Sequence, residues 1–240
     1  MLILQTFTVE RTRLSFAEVQ HSTGLAKATT HRLLGELVRT GLLERQDGRY
    51  LLSRLVFELG MRAAVERRLL EVATPFLEEL RERTRETVHL GVRDAAEVVY
   101  VAKIGGHSQA ASPSRLGGRM PLHATSIGKA LLAYAPADVA LHLLAGPLRR
   151  YTPRTVVEPG RLGQQLEAVR ERGVAFEHEE SAAGIVCVAA PVLGPAGGAV
   201  AAVSVTGPVS RFQPDKHAAA VRAAADGIAA ALTRRGHWET

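Results

Sequence analysis

Between residues 26 and 40 apolar side chains return every third or fourth position, at Leu33, Leu34, Leu37 and Val38, with Thr30 one turn earlier. That period predicts an amphipathic helix. Gly24 breaks the chain before it, and Gly41 stands where a left-handed stop belongs. Upstream, Ser15 is a natural N-cap for "FAEVQHS", and the apolar-rich opening over residues 2–9 reads as another helix. Downstream, "LLERQDGRYLL" is a β-hairpin turning at Asp47-Gly48. The first third of the chain therefore predicts helix, helix, helix, hairpin.

A helical stretch over about residues 54–68 continues without a proline into "LLEVATPFLEELRERT", where Leu69, Ala73, Phe76, Leu77 and Leu80 keep helical spacing. After Thr84 the pattern changes. "TVHLGVRD" and "EVVYVAKI" alternate or run apolar as strands, with residues 94–97 as their turn. "RLGGRMP" predicts a loop, "HATSIGKALLAY" a helix, and "GRLGQQLEAVRERG" a helix stopped by Gly173. Three strands follow near residues 174–179, 185–192 and 199–206, then a helix from about Pro214. The second half is α+β, an antiparallel or mixed sheet with helices packed on it. The predicted divisions are a helical and hairpin unit over 1–60, a helical linker over 61–68 and an α+β domain over 69–240.

Composition narrows the class. A chain of 240 residues, 46% hydrophobic, is long enough for two small domains with real cores. No apolar run approaches the roughly 18 to 20 residues that span a bilayer, so no membrane partner is expected. The opening "MLILQTFTVERTR" has no basic n-region and no small-residue cleavage site, unlike a signal peptide. Cys187 is the single cysteine, which excludes an internal disulfide and suits a reducing cytoplasm. The formal charge of +6 permits a polyanionic partner. It does not select one, because residues 1–60 hold eight Lys/Arg against six Asp/Glu.

The helix face decides more. Opposite the Leu33/Leu34/Leu37 stripe stand Ala28, Thr29, Arg32, Gly35, Glu36 and Arg39. Lys27 and the unpaired N–H groups of the first turn suit a phosphate. Thr29 and Arg32 lie near the N-terminal end of a slim face that fits a major groove, where Arg pairs with a guanine edge. Arg45, Arg49 and Tyr50 on the hairpin are placed for the flanking backbone or minor groove. The expected contacts to double-stranded DNA are Lys27, Ala28, Thr29, Arg32, Arg39, Arg45, Arg49 and Tyr50. A helical hairpin with a wetted polar face is the plainer reading of each part. Helix, turn, helix and charged wing in tandem is more specific than any part alone.

In the second half, Ser204 and Thr206 are two apart and share a strand face. Cys187 sits on a neighbouring strand, Glu177 on another, and Ser126 opens a helix whose free N–H groups suit a carboxylate. Together they make a concave, partly apolar pocket with a few convergent polar groups. By themselves, Ser204 and Thr206 read more simply as sheet hydroxyls.

"LSFAEVQHSTGLAKATTHRLLGELVRTGLLERQDGRYLLSRLVFELG" resembles the winged helix-turn-helix of the isocitrate lyase regulator (IclR) family of bacterial transcription factors. "LLEVATPFLEELRERTRETVHLGVRD", "GGRMPLHATSIGKALLA", "RYTPRT", "RGVAFEHEESAAGIVCVAAPV" and "AAVSVTGPVSR" are similar, in order, to that family's effector-binding domain. The resemblance implies an α+β chain with a winged helix-turn-helix, a helical linker and a GAF-like α/β sensor domain. It also implies dimers or dimers of dimers, and control of catabolic or stress genes by a small metabolite. It places the effector contacts on Ser126, Ile127, Glu177, Cys187, Ser204 and Thr206, with the "QAAS" and "GGRM" loops supplying Gln109, Ser112 and Met120 as a lid. Glu177 departs from the family's usual Asp and narrows the pocket, and His178 replaces a second Asp.

Other chemistry finds less support. Cys187 with His123 or His178 lacks a thiol-protease signature, and a small buried hydrophobe is the simpler role for the thiol. His123, Glu177, His178 and Cys187 are suitable metal ligand types but lack the short spacing of a zinc motif, so no metal and no cofactor is expected. "SIGKA" lacks the upstream glycine and following Ser/Thr of a phosphate loop, leaving Lys129 as a surface or salt-bridge residue. "EHEE" reads as a solvated acidic edge, with no ligand role for Glu179 or Glu180. The leading reading is a non-enzymatic, DNA-binding regulator answering to a small organic acid. The alternative is a small-molecule binding or catalytic domain whose N-terminal helices serve dimerisation. A metal-sensing regulator is a third.

Overall fold

The computed structural model describes residues 1–8, 11–62, 64–105, 112–234 and 236, without the side chains of Met61 and residues 64–66. It divides into two compact units, Met1–Arg67 and Arg68–Thr240.

The first unit opens with one 3-10 turn, Leu4–Thr6, in place of the helix expected over residues 2–9. Both the N–H and the hydroxyl of Thr6 donate to the Ile3 carbonyl, at 3.1 and 2.7 Å, so the bonding closes after three residues. No side chain caps the start, and so short a segment does not propagate by itself. Strand β1 (Arg13–Ser15), absent from the sequence reading, leads into α1 (Phe16–Thr23). Ser15 and Glu18 form a reciprocal capping box at its start, and Gly24 ends it in the left-handed region at φ 65°. Helix α2 (Lys27–Arg39) is followed by β2 (Leu43–Gln46) and β3 (Arg49–Leu52). Their turn has Asp47 at φ 51° and Gly48 at φ 76°, the doubly left-handed geometry that follows the twist of a hairpin. The sheet order is β1-β3-β2. Leu14, Val19, Leu34, Leu43 and Tyr50 form the core beneath it. Helix α3 (Arg54–Arg62) follows, and α4 (Ala64–Thr84) runs through Pro75 without ending.

The second unit is built on an antiparallel six-stranded sheet ordered β6-β5-β4-β9-β8-β7. Its strands are β4 (Thr87–Asp94), β5 (Glu97–Ile104), β6 (Arg119–Pro121), β7 (Ala175–His178), β8 (Ile185–Leu193) and β9 (Ala199–Pro208). The helices are α5 (Ser126–Ala133), α6 (Ala137–Ala145), α7 (Pro159–Arg172) and α8 (Pro214–Arg234). Alternate residues serve opposite faces. Val88, Leu90, Val186, Val188, Val203 and Val205 pack with Leu77 and Leu80 of α4 and Ile228 of α8. Tyr100, Ala189 and Ala202 pack on the other side with Ile127 and Leu131 of α5 and Leu162 of α7.

Two elements differ from the sequence reading. The supposed loop "RLGGRMP" contains edge strand β6, three residues paired with β5 through Met120↔Val98. Helix α6 begins after Pro136 in a stretch given no element, and only Ala140 of it is buried.

Candidate functional site

On α2 the inward stripe is as expected: Thr30 and Leu34 are buried, and Thr30 Oγ1 donates to the Ala26 carbonyl at 3.1 Å. Lys27, Ala28, Arg32, Gly35 and Arg39 are exposed, and Thr29 is half-buried. Arg39 pairs with Glu36 at the far end of the helix, Nη2 to Oε2 at 2.6 Å. On the hairpin, the Arg49 guanidinium stands 3.7 Å from Glu18 Oε2, the same oxygen that accepts the Ser15 N–H at 2.7 Å. Arg45 lies 5.7 Å from the centroid of the Tyr50 ring. Tyr50 itself is a correction. It is 7% exposed because strand alternation turns it inward, level with Leu14 on β1 and Arg45 on β2. Its ring is core rather than a DNA-facing surface. Arg13, not singled out in the sequence, is exposed and donates to Gln46 at 3.3 Å, on a strand that had not been recognised.

In the second unit the strand register builds a row of polar side chains on the sheet face that carries α5. His89 pairs with Ser204, Thr87 and Cys187 both with Thr206, and Glu177 with Cys187. His89 Nδ1 lies 3.4 Å from both Ser204 Oγ and Thr206 Oγ1, and its Nε2 is 2.8 Å from Ser114 Oγ. Thr206 Oγ1 is 3.2 Å from Cys187 Sγ. Glu177 stands opposite Cys187 in the strand register, and Glu177 and Ser126 both act on its thiol. The Thr125 hydroxyl accepts the Gly128 N–H at 3.0 Å, fixing the start of α5 with Ser126 and Ile127 buried. Ser112 joins through Ser114, hydroxyl to hydroxyl at 2.7 Å, and the Lys103 ammonium donates to the Ser114 carbonyl at 2.6 Å.

The residues taken for an effector site thus fall into three groups. Ser126, Glu177, Cys187, Ser204 and Thr206 converge, with Ser112 attached by way of Ser114 and His89. Ile127 and the half-buried Met120 belong to the apolar cluster beside them. Gln109 lies outside the described residues. The sequence reading missed His89, Tyr100, Lys103 and Ser114. For His89 a signal existed: in "TVHLGV" it shares a strand face with Thr87 and Gly91, a lone imidazole in an apolar run.

Burial sets the protonation states. His89 is 1% exposed, and its pKa falls from 6.5 to about 3, first through loss of hydration and then through Lys103. The ring is neutral, one nitrogen donating and the other accepting. The edge of the Tyr100 ring meets it at 5.2 Å between centroids, and burial pushes the phenol upward. Burial also drives the Cys187 thiol well above its ordinary range, reinforced by Glu177. It is a thiol and not a nucleophile. Burial raises the Glu177 carboxyl against the lowering effect of bonds from Cys187 and Ser181.

The acidic edge is not solvated. Glu177 and Glu180 are buried, and Lys129 is 1% exposed with its ammonium 2.5 Å from Glu180 Oε1. The turn after β7 folds under the 150–155 loop, where Thr152 and Thr155 hydroxyls donate to the Glu179 and Glu180 carbonyls, both at 2.7 Å. His123 Nε2 lies against the Arg149 carbonyl at 2.9 Å, and the described residues contain no group of three suitable ligands.

Residues 1–47 match the model of the IclR helix-turn-helix domain, and residues 61–230 match the bacterial transcriptional regulator IclR C-terminal model. The HTH-type transcriptional regulator XynR of Escherichia coli K12 is 35% identical over 212 residues, spanning 87% of this chain and 84% of its own length. The HTH-type transcriptional repressor AllR of the same organism is 32% identical over 229 residues, 93% and 84% of the two chains. A crystal structure of an IclR homolog from Microbacterium hydrocarbonoxydans, complexed with 4-hydroxybenzoate, superposes with a TM-score of 0.90 at 32% identity over 97% of both chains.

Proposed function

The chain belongs to the IclR family of bacterial transcriptional regulators, and on that premise we propose which residues read DNA and which read the effector. It is a helix-turn-helix DNA-binding regulator rather than an enzyme, as its relatives are. The helix-turn-helix match displaces the alternative in which the N-terminal helices only dimerise. In our reading residues 1–60 read DNA, 61–68 link and 69–240 sense. Lys27, Ala28, Thr29 and Arg32 enter the major groove, while Arg45 and Arg49 meet the backbone beside it. Arg39, tied to Glu36, makes at most a phosphate contact.

The effector site is the row His89, Ser204, Thr206, Cys187, Glu177 and Ser126. One observation carries this reading: the α5 face of the sheet buries a linked set of hydroxyl, imidazole, thiol and carboxyl groups where the opposite face of the same strands is apolar. A face serving stability alone would be filled with hydrocarbon, since buried polar groups gain little net and leave large penalties when unpaired. The complement to this lining is a small hydroxy or aromatic acid. Its carboxylate sits toward the start of α5, where the helix end carries positive partial charge, and its hydroxyl donates to the Glu177 carboxyl. The ligand of the Microbacterium homolog has both groups. We further propose a cytoplasmic homodimer or dimer of dimers reading a pseudo-palindromic site.

The test uses the full chain. Genomic fragments retained by the protein supply the operator. Thermal-shift measurements with 4-hydroxybenzoate, other small acids, and cations then probe the site. Stabilisation by an acid that also changes operator affinity supports the reading. Stabilisation by cations or metals alone refutes it.

A further inference from the structure

Lys129 and Glu180 form a buried ion pair, 1% and 5% exposed at their side chains. Removing two charges from water costs several kcal/mol per ion even after relaxation, and well-packed apolar residues of the same size are often as stable or more so. This pair is not fully satisfied either, because Glu180 Oε2 is buried without a hydrogen-bond partner. Stability alone gives a weak account of it, whereas its position gives a stronger one. The Lys129 ammonium bonds both to Glu180 Oε1 at 2.5 Å and to the Phe176 carbonyl at 3.3 Å. It therefore clasps the two ends of the segment that holds Glu177 between them. Inside the clasp, Glu177 Oε1 accepts three bonds, from the N–H groups of Glu180 and Ser181 at 3.1 and 3.0 Å and from the Ser181 hydroxyl at 2.9 Å. One oxygen is saturated by the turn, and the strand register sets the buried Glu177 directly opposite the buried Cys187. Lys129 lies three residues after Ser126, so one helix carries both Ser126 and the clasp around Glu177.

We propose that Lys129 is a positioning residue for the effector site: through its ion pair with Glu180 it fixes the Glu177 carboxyl against the Cys187 thiol, and so sets the orientation of the acceptor that a ligand hydroxyl meets. This rests on the effector site proposed above. It assigns Lys129 no contact with the ligand.

Cys187 is the single cysteine of the chain, so the infrared S–H stretch reports its hydrogen bond without a label. The main variant is Lys129→Met with Glu180→Leu, which removes both charges at similar volume. In the folded double variant the S–H band leaves its wild-type position in the same direction as it does in Glu177→Leu, with the Thr206 contact kept in both, while Lys129→Arg keeps it near wild type. The preference for 4-hydroxybenzoate over benzoate falls roughly tenfold, the size of one lost hydrogen bond to a charged group, and operator affinity without ligand is unchanged. An unmoved S–H band in the folded double variant overturns the proposal. Should that variant not fold, Glu180→Gln takes its place, and an unmoved band there overturns it equally. A wild-type protein that binds neither acid counts against the sensor reading alone, and the thiol band still decides for or against the positioning role.

Discussion

His89→Gln isolates the energetic consequence of burying an imidazole in the sheet. The ring is 1% exposed, touches the hydroxyls of Ser114, Ser204 and Thr206, and has the Lys103 ammonium near enough to oppose a positive charge. In the unfolded chain it takes a proton below its ordinary 6.5, and in the folded chain only near 3. Between those values the unfolded state holds the extra proton. Stability from this group is therefore complete above pH 6.5 and is lost as pH falls toward 3. One proton is worth about 1.4 kcal/mol per pH unit. From pH 8 to 4.5 the loss is about 2.7 kcal/mol, a large share of a typical 5–15 kcal/mol total. Glutamine keeps a donor and an acceptor but does not titrate. Urea unfolding of both full-length proteins, followed by far-UV circular dichroism from pH 4.5 to 8, gives a difference in which carboxylate titrations common to both cancel. That difference is expected to be flat above pH 7 and to change by about 1.4 kcal/mol per unit below 6. Parallel profiles across the whole range would show that folding does not exclude the proton, and the neutral imidazole would have to be abandoned.

Four further outcomes are expected. Arg32→Ala weakens specific operator binding by about 1–3 kcal/mol with the fold intact, while Arg49→Ala weakens all duplexes evenly and flattens the salt slope; fluorescence anisotropy over a salt series separates the two. Gly128→Ala destabilises the sensor unit by about 3 kcal/mol or more, because a Cβ there would stand 2.2 Å from the Leu122 carbonyl oxygen; a thermal melt matching wild type would contradict this. Ser204→Ala with Thr206→Val abolishes the effector's influence on operator binding and leaves effector-free affinity near wild type, read by the same anisotropy assay. Sedimentation at micromolar concentration shows at least a dimer, and a monomer with a single-half-site footprint counts against the palindromic reading.

The elements with strong local chemistry were legible from the chain. Ser15 announced a helix start, Asp47-Gly48 a hairpin and Gly173 a helix end, and each depends only on neighbours in sequence. What escaped depends on distant partners. Tyr50 alternates correctly, but which face of β3 is inside is decided by Leu14, on a strand of three residues too short to recognise. A salt bridge was one of two roles open to Lys129, but its partner Glu180 looked solvated until α5 and the β7–β8 turn brought them together across fifty-one positions. His89 is the same case, since its partners Ser114, Ser204 and Thr206 come from separate parts of the chain. The convergence of Ser126, Cys187, Ser204 and Thr206 was anticipated because strand alternation and one helix start suffice to place them, with the family resemblance pointing to the same positions.

The alternation along β4, β8 and β9 also bears on how such a protein diverges. Every second residue of these strands, Val88, Leu90, Val186, Val188, Val203 and Val205, belongs to the apolar layer against α4 and α8. The residues between them, His89, Cys187, Ser204 and Thr206, carry the polar row. Two texts are interleaved on one backbone, and mutation can rewrite one letter by letter while the other is kept. A duplicated copy of the gene could exchange hydroxyls, thiol and imidazole for a new set, and meet a new molecule, without passing through an unfolded intermediate.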